Sequence, residues 1–324
     1  MWKCPGCESH EVADASYILA SAAATHFVRP WVDEDRYAKL LVCIRELWGQ
    51  DSAQLVTCGS CGLRTADPFV GGNSEFYITA YGSSSFHPYP VRRWEFELTR
   101  SVVPDSGTVL EIGAGSGAFQ QSLINSGVTP SRLFATEYSP EGLQALRSLG
   151  VDAVDTDLRD LPPADHALVC AHQVFEHLDD LDAVFRAFNS LTNPRGLIAL
   201  SVPNGVNTFH TETAGGQIDM PPNHISTWRR SSFEAVTARH GWKLVDYQEE
   251  EMSRVRSAVN LATSKAFRSR QRSRSLTSRF EKLAPTPKVR YALMALSAGV
   301  FLPPAYLRAK DGFGGSVWVL MTRA

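Results

Sequence analysis

The sequence has no long hydrophobic run. Nowhere do about 18 apolar residues follow one another, so no segment is expected to cross a membrane as a helix. The opening Met1-Trp2-Lys3 lacks the basic-then-apolar pattern of a secretory signal, so a cytoplasmic protein is the default expectation. Cysteine is scarce, six in 324 residues, and four of the six fall in two C-x-x-C pairs. Charge of one sign is missing overall, since the net charge is only -2, and this predicts nothing about partners. A hydrophobic content of 44% and a charged content of 20% describe a globular chain able to bury a sizeable core. The length suits one large domain with an appendage.

What is present is organised around Thr108-Val109-Leu110-Glu111-Ile112-Gly113-Ala114-Gly115-Ser116-Gly117-Ala118-Phe119. The apolar run reads as a buried parallel strand, and it ends in an acid followed by three glycines at alternate positions. Glycine is wanted where a backbone turns sharply and lies against a ligand. A helix from about Phe119 to Asn125 would direct its free N–H groups at the same place. The spacing is not the dinucleotide fingerprint G-x-G-x-x-G, because the third glycine comes one residue early.

Cys4-Pro5-Gly6-Cys7 and Cys58-Gly59-Ser60-Cys61 are two knuckles whose thiolates can complete a tetrahedral Cys4 site. Zinc is the expected metal and support of the fold its expected role, since four thiolates leave no open position. A pair of disulfides or unrelated thiols is the alternative. The 50 residues between Cys7 and Cys58 exceed an ordinary ribbon spacing, and Trp31–Trp48 reads as a helix inserted there. An aromatic-rich connection follows, with Phe76, Tyr77, Tyr81, Phe86 and Tyr89. It is either a loop packed down by its rings or a lid over a cofactor.

From Thr108 strands and helices alternate, the pattern of a doubly wound parallel sheet. Strands are expected at Thr108–Ile112, Arg132–Glu137, Asp152–Val154, Ala167–Ala171, Gly196–Val202, Lys243–Glu249 and Gly315–Thr322.

The acid–glycine motif and this alternation resemble the class I S-adenosylmethionine (SAM)-dependent methyltransferases. The resemblance implies an α/β, doubly wound, seven-stranded Rossmann-like sheet. It divides the chain into a zinc-ribbon-like domain (1–68), an aromatic connection with a leading helix (69–103), a SAM-binding core (104–252), a helical insertion between strands six and seven (253–314) and a final core strand (315–324). It further implies SAM contacts from Glu111, Gly113, Gly115 and Gly117, from Glu137 to the ribose hydroxyls, from Asp157 to the adenine amino group, with Asp155 as competitor, and from His172 and Gln173 beneath the methionine part.

Phe175-Glu176-His177-Leu178 matches the E-H-L of many small-molecule methyltransferases, and His224 stands on the loop after strand five. Histidine is suited to take a hydroxyl proton near neutral pH. His224 is the first candidate base and His177 the second, the plainer reading of each being a residue that orders its loop. The N/D-P-P-Y motif of amino-methylating enzymes is absent, which counts against nucleobase amines. With the Cys-rich N-terminus, the chain is similar to nucleotide-sugar and polysaccharide-pathway enzymes, including the sugar C-methyltransferases. It departs from the latter at Asn223 and Ile225, where they carry Tyr and Glu beside the histidine.

The expected activity is methyl transfer by in-line displacement to a small-molecule acceptor, a sugar or nucleotide-linked sugar. An RNA methyltransferase and a silent SAM-binding scaffold are the rival readings, and nucleic acid is not the expected partner. Arg254–Arg290 carries eleven Lys or Arg against Glu281, a net +10 in a chain whose total is -2. The apolar Tyr291–Tyr306 follows, interrupted by Pro303-Pro304. Residues 254–306 are read either as a peripheral contact with an anionic membrane surface or as a cap over the substrate site.

Overall fold

The computed structural model describes residues 2–81, 93–275, 277–279, 287–312 and 314–324, without the side chains of 287, 288 and 290–295. Phe86 and Tyr89 of the aromatic connection, and Glu281 of the basic run, lie outside the described residues.

The core is a seven-stranded sheet. In chain order its strands are β4 (Val109–Ile112), β5 (Leu133–Thr136), β6 (Asp152–Val154), β7 (His166–His172), β8 (Thr192–Pro203), β10 (Trp242–Glu249) and β11 (Ser316–Arg323). Across the sheet the order is β10-β11-β8-β7-β4-β5-β6, parallel from β8 to β6, with β11 antiparallel between β8 and β10. This is the doubly wound arrangement expected from the sequence, and the expected final core strand is β11.

All four residues of β4 are buried, as a strand covered on both faces requires. The period of two sends Leu110 and Ile112 to one face, with Phe175, Phe185, Phe188 and Trp228. Val109 goes to the other face, with Phe119, Leu168 and Trp318. Helix α7 (Leu181–Leu191) shows how the layers are held. Asp180 caps it by accepting from the Ala183 N–H, and Leu181, Val184, Phe185, Phe188 and Leu191 lie on the sheet. Each such side chain contributes about 1.5–3 kcal/mol.

A second, four-stranded sheet has the order β1-β2-β3-β9, from β1 (Val12–Leu19), β2 (Ser52–Cys58), β3 (Arg64–Asp67) and the two-residue β9 (Ser226–Thr227). Its last strand comes from the same loop as His224. The helix read at Trp31–Trp48 is α2 (Glu34–Trp48). It starts late because Asp33 caps it by accepting from the Arg36 N–H, and it stops at Gly49, whose φ is +64°. It packs with α1 (Ala20–Phe27) and α3 (Ser74–Tyr81) on this sheet.

The insertion is a hairpin of α10 (Arg254–Arg270) and α11 (Pro287–Arg308). The prolines do not interrupt it. The helix runs through Pro303 and Pro304, and the carbonyls freed four residues earlier lie near Gly299 and Val300, both exposed, where water can serve them. The hairpin rests on the end of α8 (Gly205–Thr213): Arg268 and Arg308 donate to the Gly216 and Ala214 carbonyls. No helix among the described residues is long and apolar enough to cross a membrane.

Candidate active site

The candidate cofactor side is the turn between β4 and α5 (Ala118–Asn125). Gly113, Gly115 and Gly117 have φ of 65°, 56° and 77°, a region L side chains rarely adopt. A Cβ on Gly113 would also lie 2.7 Å from Val174 Cγ2, so the loop passes flat against the turn after β7. Glu137, just beyond β5, ties this loop down. Its carboxylate accepts from the Gly115 N–H (2.8 Å) and from the Ser139 N–H and hydroxyl (2.8 and 2.7 Å). Asp157 is held by Arg159 through Nε (2.7 Å) and Nη2 (2.8 Å) and takes the Tyr138 hydroxyl at 3.1 Å. The Arg159 hydrogen bond holds the Asp157 carboxyl below its usual range.

His172 lies within the fold, its Nδ1 3.0 Å from Glu111 Oε1 and its Nε2 3.0 Å from the Thr99 hydroxyl. Trp318 donates to the same Thr99 oxygen, so this network joins β4, β7, β11 and the leading helix α4 (Trp94–Ser101). Gln173 follows with φ +59°, a strained value for a residue other than glycine, of the kind that gathers at functional sites. The buried Glu111 Oε2 and Gln173 Nε2 have no hydrogen-bond partner among the described residues. One is an acceptor and the other a donor, at the carboxyl ends of the adjacent strands β4 and β7. An amino acid moiety, with its ammonium and carboxylate, needs that pair. The donor set therefore fits the methionine part of SAM.

The candidate acceptor side begins one turn further on. Glu176 is 1% exposed, and neither carboxylate oxygen has a hydrogen-bond partner among the described residues. His177 Nε2 and His224 Nε2 stand 3.8 and 3.9 Å from its Oε1. The two imidazoles meet edge to face with centroids 4.7 Å apart. Each is anchored through its other nitrogen. His177 Nδ1 is 2.7 Å from the Asn223 carbonyl, which can only accept, so the proton is on Nδ1. The Tyr77 hydroxyl stands 3.2 Å from that same Nδ1. His224 Nδ1 is 2.7 Å from Asp219 Oδ1, an ion-pair distance outside hydrogen-bond geometry.

Burial raises the Glu176 carboxyl to about 7. Burial, helped by the His224 charge, drops His177 to about 3. Burial also works to lower His224, but Asp219 overcomes it and lifts the group to about 9.

Residues 92–247 match a family described as "Methyltransferase domain". This stretch, just under half of the chain, is similar to a methyltransferase domain. No curated protein matches the chain. Among solved structures it is similar in fold to coclaurine N-methyltransferase bound to N-methylheliamine and SAH, at 12% identity over 94% of each chain with a TM-score of 0.47. It is similar also to a Mesorhizobium loti methyltransferase, at 14% identity over 71% of this chain and 97% of that one with a TM-score of 0.43. A Haemonchus contortus phosphoethanolamine N-methyltransferase compares at 14% identity over 71% of this chain and 52% of that one, with a TM-score of 0.44. Likenesses this distant say nothing of the acceptor.

Beside this stretch the four knuckle cysteines come together. Cys4 Sγ and Cys61 Sγ are 3.6 Å apart, as are Cys7 Sγ and Cys58 Sγ. A disulfide needs about 2.05 Å, so none is formed. Sulfurs at the corners of a tetrahedron with zinc–sulfur bonds of about 2.3 Å lie about 3.7 Å apart, so the arrangement fits zinc. The knuckles are bound into the domain: Ser231 donates to the Cys61 carbonyl and Arg239 to the Pro5 carbonyl, both from α9 (Arg230–Arg239). From Cys61 the chain enters β3, which pairs with β9, and the Ala66 N–H donates to the Ile225 carbonyl beside His224.

Of the residues singled out in the sequence, His177 and His224 are brought together, and so are the glycines with Glu137. Asp157 stands apart with Arg159. Three contributors carried no assigned role. Glu176 is named in the sequence only as part of the E-H-L match. Asp219 sits in no pattern. The Gly71-Gly72 pair was a readable signal, because a Cβ on Gly71 would be 2.5 Å from the His177 carbonyl.

Proposed function

We propose that the chain transfers the methyl group of SAM to a hydroxylated small molecule, a sugar or nucleotide-linked sugar. The observation that carries this reading is the convergence of His177 Nε2 and His224 Nε2 on the buried Glu176 carboxylate, one turn from the glycine loop. When bound, SAM supplies an electrophilic methyl group on a sulfonium. The chain's own work is to hold the acceptor in line, where orientation provides most of the acceleration, and to receive its proton. His224 Nε2 is the first acceptor of that proton, in the neutral form that Asp219 makes the minor one below about pH 9, and His177 Nε2, already neutral, is the second, with Glu176 facing both. Gly113, Gly115 and Gly117 would admit the cofactor, Glu111 and Gln173 would hold its methionine end, Glu137 its ribose and Asp157 its adenine. Zinc on Cys4, Cys7, Cys58 and Cys61 would keep β3, and through it the His224 loop, in place.

The test is incubation with methyl-labelled SAM and a panel of nucleotide sugars, free sugars, amines and RNA. Label on a nucleotide sugar or free sugar supports the reading. Label confined to amines or RNA overturns it.

A further inference from the structure

Glu176 poses a question that proton transfer leaves open. A fully buried carboxylate with two unpartnered oxygens is rare, and an unseen ion is one of its ordinary explanations. We propose that Glu176 Oε1, His177 Nε2 and His224 Nε2 bind a divalent first-row transition-metal ion, with the remaining positions open to the acceptor.

The three donor atoms lie within 4.8 Å of one another. Around an ion with bonds of about 2.1 Å, neighbouring donors stand about 3.0–3.4 Å apart. The Glu176 edges of 3.8 and 3.9 Å therefore need to close by about half an ångström, within the reach of side-chain torsions.

Orientation is the stronger argument. Histidines that bind a metal through one nitrogen almost always direct the other at a carbonyl or carboxylate. Here His177 gives Nδ1 to the Asn223 carbonyl and His224 presents Nδ1 to Asp219. Both Nε2 atoms are left turned toward the Glu176 carboxylate, which has no hydrogen-bond partner among the described residues. Asp219 is itself held, its N–H donating to Glu212, which pairs with Arg64 at 2.6 Å. Charge agrees as well: once the ion displaces the His224 proton, two carboxylates and two neutral imidazoles balance one dication. Two imidazoles and one carboxylate suit zinc, iron, cobalt or nickel better than magnesium or calcium.

The inference rests on the proposed function only for what the open positions would take. An acceptor hydroxyl bound there would be polarised by the ion, and His224 would serve as a ligand in place of a base.

Cobalt(II) is the probe, because cobalt held by thiolates has an intense charge-transfer absorption that a histidine–carboxylate site lacks. Metal-stripped full-length protein, loaded with cobalt and dialysed, should hold two ions per chain. Glu176→Gln and His224→Gln should each hold one, with the thiolate absorption and SAM affinity unchanged. Melting curves of the variants check their fold. A wild-type chain that keeps only a thiolate-bound ion overturns the proposal whatever the variants do, and so does retention of two ions in both variants. The probe involves no acceptor. Metal uptake without methyl transfer to any sugar therefore removes the functional reading alone, and methyl transfer without metal uptake removes this inference alone.

Discussion

The proposed cofactor side and the proposed acceptor side of the site are built from parts that lie at different distances along the chain. Glu111, the three glycines and Glu137 belong to one strand–turn–helix–strand unit, and a few backbone hydrogen bonds lock them. The acceptor side collects Tyr77 from α3, Glu176 and His177 from the turn after β7, and Asp219 and His224 from the loop before β9. Its alignment depends on β3, and so on the cysteine knuckles. The comparison teaches that the first side should withstand loss of the second, whereas the second should not withstand loss of its distant supports.

The largest effect should come from breaking the cofactor side where it has no slack. Gly115→Arg puts a long side chain on a residue with φ +56° whose N–H is bound to Glu137. Calorimetry should find no SAM binding, and wild-type affinity would remove the loop from the cofactor site. Next in size is Cys61→Ser, which should release the metal and lower the melting temperature, because Cys4, Cys58 and Cys61 are packed into the main core. A variant that loses zinc yet melts like the wild type would show that the knuckles are not structural. Smaller again, Glu137→Ala should weaken SAM by about 1–3 kcal/mol. Unchanged affinity would mean that its carboxylate serves the loop alone.

The legibility of the sequence follows the same division. The acid–glycine loop was readable because its chemistry is contiguous. The inner strands β4, β7 and β11 were readable because burial on both faces writes itself as short apolar runs. Glu176 gave no sign of its isolation, since whether a carboxylate has a partner is settled by what packs over it. Asp219 precedes His224 in a segment with no periodicity, and β9 has only two residues, too few for any pattern. Pro303 and Pro304 misled in the other direction, because their cost is small where the freed carbonyls face water.

The hairpin gives the smallest expected effect and lies outside both halves. Its outer surface carries Leu296, Val300 and Leu307, between 71% and 79% exposed, and Arg254 covers Tyr306 at 4.8 Å. Apolar and cationic surface together suit an anionic bilayer, while the contacts with Ala214 and Gly216 suit a cap on the acceptor side. Flotation with anionic vesicles should show binding at low salt that fades as salt screens the arginines. No binding at low salt would leave the cap.

The division between the two sides is tested most directly by measuring SAM affinity and turnover together in His224→Ala. Its side chain touches Asp219, Glu176 and His177 and none of the glycine-loop residues. The account predicts wild-type SAM affinity with turnover lowered by about 10²–10⁴-fold. Turnover that stays near wild type, or SAM affinity that falls in step with it, would contradict the account.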